Sequence, residues 1–269
     1  MTQESHRDEL MMEDIGPVRL FTLNRPERFN ALSPALFERF SAMLREAAAD
    51  PAVRCVAVTG QGKAFCAGGD VSVQAADAKA QPIAPETNAD GLRGRMECVR
   101  LLHVMPKPTV AFVNGVAAGA GMAIALACDL RIASEQARMT TAFSKVGLCG
   151  DYGGTYLLTR LVGPAIARDL YFFSPVLDIE RLEALGLVSR RVSSDVLRDE
   201  GLTLAQTLAD GPTLAYRYMK QSLNLAMHGS IEEVMSAEVF GTMRALQSHD
   251  HLEGAQAFMQ KRKPAFTGA

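Results

Sequence analysis

Short apolar, β-branched runs alternate with polar punctuation along the first two thirds of the chain. Val18-Arg19-Leu20-Phe21-Thr22-Leu23 predicts a strand ending in an Asn24-Arg25-Pro26 turn. Ser33-Pro34 then supplies an N-cap and a proline suited to the first helical position. Leu36, Phe37, Phe40, Met43 and Leu44 follow at the spacing of one helical face. Val53 to Thr59 predicts the next strand, and Thr109-Val110-Ala111-Phe112-Val113 another, which leads into a helix-like Met122 to Ala127. Strand–helix units of this length predict an α/β fold with mostly parallel pairing. After Gly153 the pattern turns helical, with periodic segments near 153–162, 178–186, 196–209, 212–227, 230–247 and 250–262. The chain therefore divides into an α/β core over residues 1–195 and a C-terminal helical region over 196–269. Met1 to Asp14 reads as a polar, frayed N-terminus. Val73 to Arg95 has little apolar periodicity and two prolines, and reads as a surface loop, a flap over a ligand or an ill-defined helix.

Composition narrows the function classes. A chain of 269 residues with 48% hydrophobic and 22% charged residues can bury a substantial core. The formal charge of −2 excludes a general nucleic-acid or membrane field, so an anionic ligand has to be met by local Arg and Lys. No apolar run reaches the length of a membrane span, and no signal-peptide pattern opens the chain. Five cysteines without CxxC spacing suit reduced thiols in a cytoplasmic protein. His249-Asp250-His251 does not make a metal site, because i and i+2 point apart on a helix; no metal is expected, and His103 is expected to face solvent.

The chemistry lies in two glycine-rich runs, Cys66-Ala67-Gly68-Gly69-Asp70 and Asn114-Gly115-Val116-Ala117-Ala118-Gly119-Ala120-Gly121. Each follows a predicted strand. Either run alone is explained by a chain reversal. Together they offer free backbone N–H groups that can converge on one negatively charged oxygen, as an oxyanion hole does. Gly60-Gln61-Gly62-Lys63 is no phosphate loop, since Ala64 stands where Ser or Thr is needed.

These runs, with Leu23-Asn24-Arg25-Pro26-Glu27-Arg28-Phe29-Asn30-Ala31-Leu32, Cys128-Asp129-Leu130-Arg131-Ile132-Ala133, Gly153-Gly154-Thr155, Ala184-Leu185-Gly186-Leu187-Val188 and Phe258-Met259-Gln260-Lys261-Arg262, resemble the crotonase (enoyl-CoA hydratase/isomerase) family in order from about residue 15 to 265. The resemblance implies a spiral of ββα units with a C-terminal helical trimerisation region. It also implies an acyl-CoA thioester substrate, no cofactor beyond the coenzyme A of that substrate, and a homotrimer or a hexamer made of two trimers. It places the two oxyanion amides at Gly69 and Ala120. Arg28, Phe29, Ala67 and Val71 would line the CoA path, with Phe258 and Lys261 closing on it from one helical face.

The two glutamates of the family's hydratases fall at Ala123 and Phe143, which cannot transfer a proton. Asp151 remains. It resembles the single aspartate of the family's isomerases, including the ring-modified phenylacetyl-CoA isomerases, and its alternative is to bond loop amides as an N-cap. Met96, Val99, Met122, Ala123, Phe143, Leu148 and Tyr152 are the expected acyl pocket, which leaves Asp151 desolvated and raises its pKa. The expected activity is movement of a double bond through a thioester enolate. Hydrolysis, dehalogenation or C–C bond chemistry with Asp151 as base or nucleophile is the alternative, ranked second because the chain has no tryptophan to pack an aryl group. CoA binding without turnover is a third reading.

Overall fold

The computed structural model describes residues 9–70 and 85–269. Its main sheet has six strands: β1 (Leu10–Ile15), β2 (Val18–Leu23), β3 (Cys55–Gly60), β5 (Thr109–Val113), β7 (Leu130–Ser134) and β9 (Arg190–Val192), in that spatial order. Only the β1–β2 pair is antiparallel. A second, three-stranded parallel sheet runs β4 (Ala64–Cys66), β6 (Val116–Ala118) and β8 (Arg138–Thr140). The chain thus advances through both sheets in step. Helix α4 (Ala120–Ala127) follows β6, and α5 (Gly154–Phe173) follows β8. This is a spiral of ββα units. A long strand, a short strand and a helix are laid down in each turn.

The helix predicted after Ser33 is α1 (Pro34–Ala49), with the Ser33 hydroxyl accepting from Leu36 N at 3.2 Å. It buries Leu36, Phe37, Phe40 and Leu44 against β2 and β3. Helices α2 (Pro85–Arg95) and α3 (Glu97–Val104) precede β5. After α6 (Ile179–Ala184) and β9 come α7 (Leu197–Ala209), α8 (Thr213–Ala226), α9 (Ile231–Leu246) and α10 (His249–Gln260). Strand alternation gives the main sheet two apolar faces. Val56 and Val58 enter the core beneath α1, while Cys55, Ala57, Val110 and Phe112 pack against Leu197, Leu204 and Ala209 of α7. Gly201 lets α7 approach this closely, since a Cβ there would stand 2.8 Å from the Phe112 ring.

Two expectations change and one open reading narrows. Leu10 to Asp14, read as part of a frayed end, forms the edge strand β1 with Ile15, because Leu10 is buried and the strand pairs with β2 along its length. Residues 85–95 of the unpatterned segment are helical, and its remainder lies outside the described residues. His103 is half-buried against the edge of the Tyr156 ring at 6.2 Å, and burial lowers its pKa.

Helix α8 is pinned to the core by a buried cation. Lys220 Nζ donates to Leu102 O at 2.9 Å and to Asp129 Oδ2 at 2.8 Å. Asp129 also accepts from Thr109 N at 2.8 Å. Arg54, just before β3, donates to Gly211 O, to Thr213 Oγ1 and to Phe266 O at 2.6, 3.0 and 2.9 Å. One guanidinium therefore holds three points of the C-terminal region. The outer faces of α8 to α10 leave Leu223, Val239, Phe240, Phe258 and Met259 exposed.

Candidate active site

The two glycine-rich runs meet because β4 and β6 are parallel neighbours, pairing Ala64 with Val116 and Cys66 with Ala117. A Cβ at Gly68 would fall 2.7 Å from Ala118 O and 3.4 Å from Ala120 N. Gly68 also has φ +92°, a region that favours glycine. Leu32 N donates to Gly68 O at 2.8 Å and Asp70 N to Leu32 O at 3.3 Å, so the intervening Gly69 N–H points away from that ladder. Ala120 is the first residue of α4, where the N–H has no intrahelical acceptor. Among the described residues neither amide has a hydrogen-bond acceptor. The loop carrying Gly69 is held by Arg25, whose guanidinium reaches Ala31 O at 2.7 Å and Asp70 Oδ2 at 3.3 Å.

Asp151 sits on a third segment, between β8 and α5. Gly150, Tyr152 and Gly153 all take positive φ, which coils the loop tightly around it. Tyr152 is buried and stacks on Phe37 with centroids 4.6 Å apart, which secures the strained residue. Asp151 Oδ1 is buried without a hydrogen-bond partner. Desolvation raises the carboxyl pKa from 3.8 to about 6. The loop lies against α4, since a Cβ at Gly154 would be 3.5 Å from Ala123 Cβ. Phe143, in a short 3-10 turn, closes from the other side, with its ring 3.7 Å from a Cβ built at Gly119.

Of the expected acyl-pocket residues, Leu148 lines an open cavity of ≈ 560 Å³ with Cys149, Thr155, Arg168, Tyr171 and Phe172. Val99, Met122, Ala123 and Tyr152 belong to the buried core, Met96 packs against it, and Phe143 is buried. Ala67 N donates to Phe29 O at 2.9 Å, which joins two of the expected CoA-path residues; Arg28 and Phe29 are exposed. Val71 lies outside the described residues. Phe258 projects into solvent at 86% exposure. Lys261 does not share its helical face. The helix ends at Gln260, and Lys261 caps it in a left-handed conformation, φ 55°. The nearby Asp250 is buried, with its carboxylate accepting from Thr267 N at 2.7 Å and Gly268 N at 2.8 Å.

Sequence reasoning missed Tyr171. In an unbroken helix it would stand about 24 Å from Thr155, sixteen residues earlier. Instead Gly163 takes φ 79° and ψ 161°, followed by Pro164, and the second half of α5 returns toward the first. The Tyr171 ring stacks on Phe143 with centroids 6.0 Å apart and planes 2° from parallel. Gly163-Pro164 signalled a break but not the direction of the return.

The matching family model, enoyl-CoA hydratase/isomerase, covers residues 15–269. The chain belongs to the enoyl-CoA hydratase/isomerase family. It is 37% identical over 251 residues to the 1,2-epoxyphenylacetyl-CoA isomerase of Escherichia coli, covering 93% of this chain and 95% of that one. It is 32% identical to the crotonyl-CoA hydratase of Syntrophomonas wolfei over 262 residues, 96% of this chain and 98% of the relative. The crystal structure of an enoyl-CoA hydratase from Polaromonas superposes with a TM-score of 0.90 at 32% identity, covering 96% of this chain and 99% of that one. Among the described residues of this family member, no helix is long and apolar enough to cross a membrane.

Proposed function

We propose that this chain moves a carbon–carbon double bond along the acyl group of a coenzyme A thioester. The observation that carries the reading is Asp151 Oδ1, buried and unpartnered in a loop whose Gly154 packs on Ala123, with Ala123 and Phe143 at the two positions assigned to the hydratase carboxylates. In a 3-enoyl thioester the Asp151 carboxylate removes a proton from the α-carbon. The electrons pass onto the thioester oxygen as a dienolate. The Gly69 and Ala120 N–H groups hold that oxygen, each worth about 3 kcal/mol in such a role, with the N-terminal dipole of α4 adding to them. The protonated Asp151, whose carboxyl proton exchanges with solvent between the two steps, then delivers a proton to the γ-carbon, leaving the 2-enoyl thioester. One carboxylate suffices because proton donor and acceptor are the same group at successive moments.

Arg28, Phe29 and Ala67 are assigned to the CoA path, and the apolar outer faces of α8 to α10 support self-association into a trimer or hexamer. Hydration is the second reading, favoured by the relatives named hydratases. The two separate in heavy water. Incubation with 3-hexenoyl-CoA is expected to give deuterated 2-hexenoyl-CoA, and Asp151→Asn to slow this about 10²–10⁴-fold. Net gain of water by 2-hexenoyl-CoA, or full isomerisation by the variant, overturns the assignment.

A further inference from the structure

The loop that carries Asp151 is costly to hold. Gly150, Tyr152 and Gly153 take φ of 107°, 51° and 69°, and the loop keeps Asp151 Oδ1 out of water without a hydrogen-bond partner. Left to itself, such a loop would turn the carboxylate toward solvent, where it is hydrated. The stack of Tyr152 on Phe37 braces it from one side. Tyr171 meets it at two further points. A Cβ added at Gly150 would lie 3.0 Å from Tyr171 Cε1, and one added at Gly154 would lie 3.0 Å from Tyr171 Oη. Because both positions are glycine, the phenol packs directly on the backbone. It spans the loop from the residue before Asp151 to the third residue after it.

Tyr171 is itself firmly placed. The reversal at Gly163-Pro164 brings it back to the start of α5, and its ring stacks on Phe143. Its neighbours along the chain are anchored. Thr141 Oγ1 donates to Leu170 O at 2.8 Å, and Ser144 Oγ donates to Ser174 Oγ at 2.9 Å. The Thr155 hydroxyl donates to the Tyr171 oxygen, which ties the end of the loop to the second half of the helix. A one-carboxylate proton transfer uses none of these groups. What they fix is the place and the dryness of Asp151.

We propose that Tyr171 is a positioning residue for the Asp151 proton transfer. Its ring, wedged on Gly150 and Gly154, and its bond with Thr155 hold the loop coiled, so that the carboxylate stays in place and desolvated. This rests on the isomerase reading above and deepens it. A ring that only filled space would add stability and nothing else; a brace also sets the protonation of Asp151, and that is the readout. The titratable groups whose charge reaches this carboxyl are Tyr152 and Tyr171, with Arg95 and Cys98 against Tyr152. Burial raises both phenols above the ordinary tyrosine value and pushes Cys98 up to about 12, and an arginine keeps its charge. Of this group Asp151 alone changes charge between about pH 4 and 8.

The test follows Asp151 by carboxyl-carbon NMR of the intact chain, isotopically labelled at aspartate, with Asp151→Asn identifying the signal. In wild type the carboxyl is expected to titrate at about 6. Tyr171→Leu, which removes the brace, should bring it down toward the ordinary value of about 4. The same variant should lower kcat for 3-hexenoyl-CoA about 10- to 100-fold, with KM within about threefold. Tyr171→Phe keeps the ring but loses the bond, and should fall between the two. Thr155→Val should match it, with the double variant no worse than either. An Asp151 titration that stays at about 6 in folded Tyr171→Leu overturns the proposal and leaves the isomerase reading intact. Should Tyr171→Leu not fold, Tyr171→Phe and Thr155→Val decide: equal downward moves support the brace, and an unmoved titration overturns it. Wild type that leaves 3-hexenoyl-CoA unchanged overturns the isomerase reading, and the titration still shows whether Tyr171 governs Asp151.

Discussion

Gly121, in the first turn of α4, packs directly on the Cys66 carbonyl at the end of β4, with no room between them for a side chain. This contact sets how close the Gly69 and Ala120 amides can come. Gly121→Ala is expected to push the runs apart, costing about 1–3 kcal/mol of stability. Turnover should fall by more than coenzyme A binding does. A crystal structure with an unshifted β4–α4 contact, or a thermal melt with an unchanged midpoint, would contradict this.

Asp151 predicts an inverted pH signature. Its folded pKa is raised from 3.8 to about 6, so the native state holds a proton that the unfolded state has released. The burial penalty is absent below the unfolded value and grows as pH rises through about 6. Asp151→Asn should therefore match wild type in stability near pH 4 and exceed it at pH 8. Because the carboxyl is partly solvated, the gain is about 1–2 kcal/mol, less than full linkage gives. Urea midpoints at the two pH values measure it. Wild-type kcat/KM should fall as pH drops below about 6, since the proton-accepting carboxylate is lost.

The Lys220–Asp129 pair should be costly to break singly. Lys220→Met leaves Asp129 facing Thr109 without its cation, and Asp129→Asn leaves a buried ammonium. Either change is expected to cost about 3 kcal/mol, and the double variant less than the sum. Additive losses in denaturant titrations would show that the pair is not coupled.

The thiols should divide one against four. Burial pushes Cys66, Cys98 and Cys128 up to about 12, and raises Cys55 as well, while Cys149 is exposed. A thiol reagent should modify one residue in the native protein, none in Cys149→Ser, and all five on unfolding.

Much of the fold was legible because its signals are local. Ser33-Pro34 and the Leu36, Phe37, Phe40 stripe fix α1, and the apolar runs fix β2, β3 and β5. The short strands β4, β6 and β8 were not legible, since three residues carry no period and their pairing depends on chain far away in sequence. β1 was hidden because Met11, Met12 and Glu13 are exposed on both faces of the edge strand, with only Leu10 buried to mark it. Gly69, Ala120 and Asp151 could be named from motif order, but the packing of their segments depends on the β4–β6 register and the left-handed Tyr152, which tertiary packing alone supports. Tyr171 depended on the reversal at Gly163.

The reach of Arg54 has a consequence for the order in which the chain completes itself. Its three acceptors belong to residues 211, 213 and 266, more than 150 positions downstream. A chain emerging N-terminus first must carry β3 with this guanidinium unsatisfied until the last helices exist. The closing of α8 and the tail onto that one side chain is then a late event in biogenesis, sealing a spiral that has already been wound.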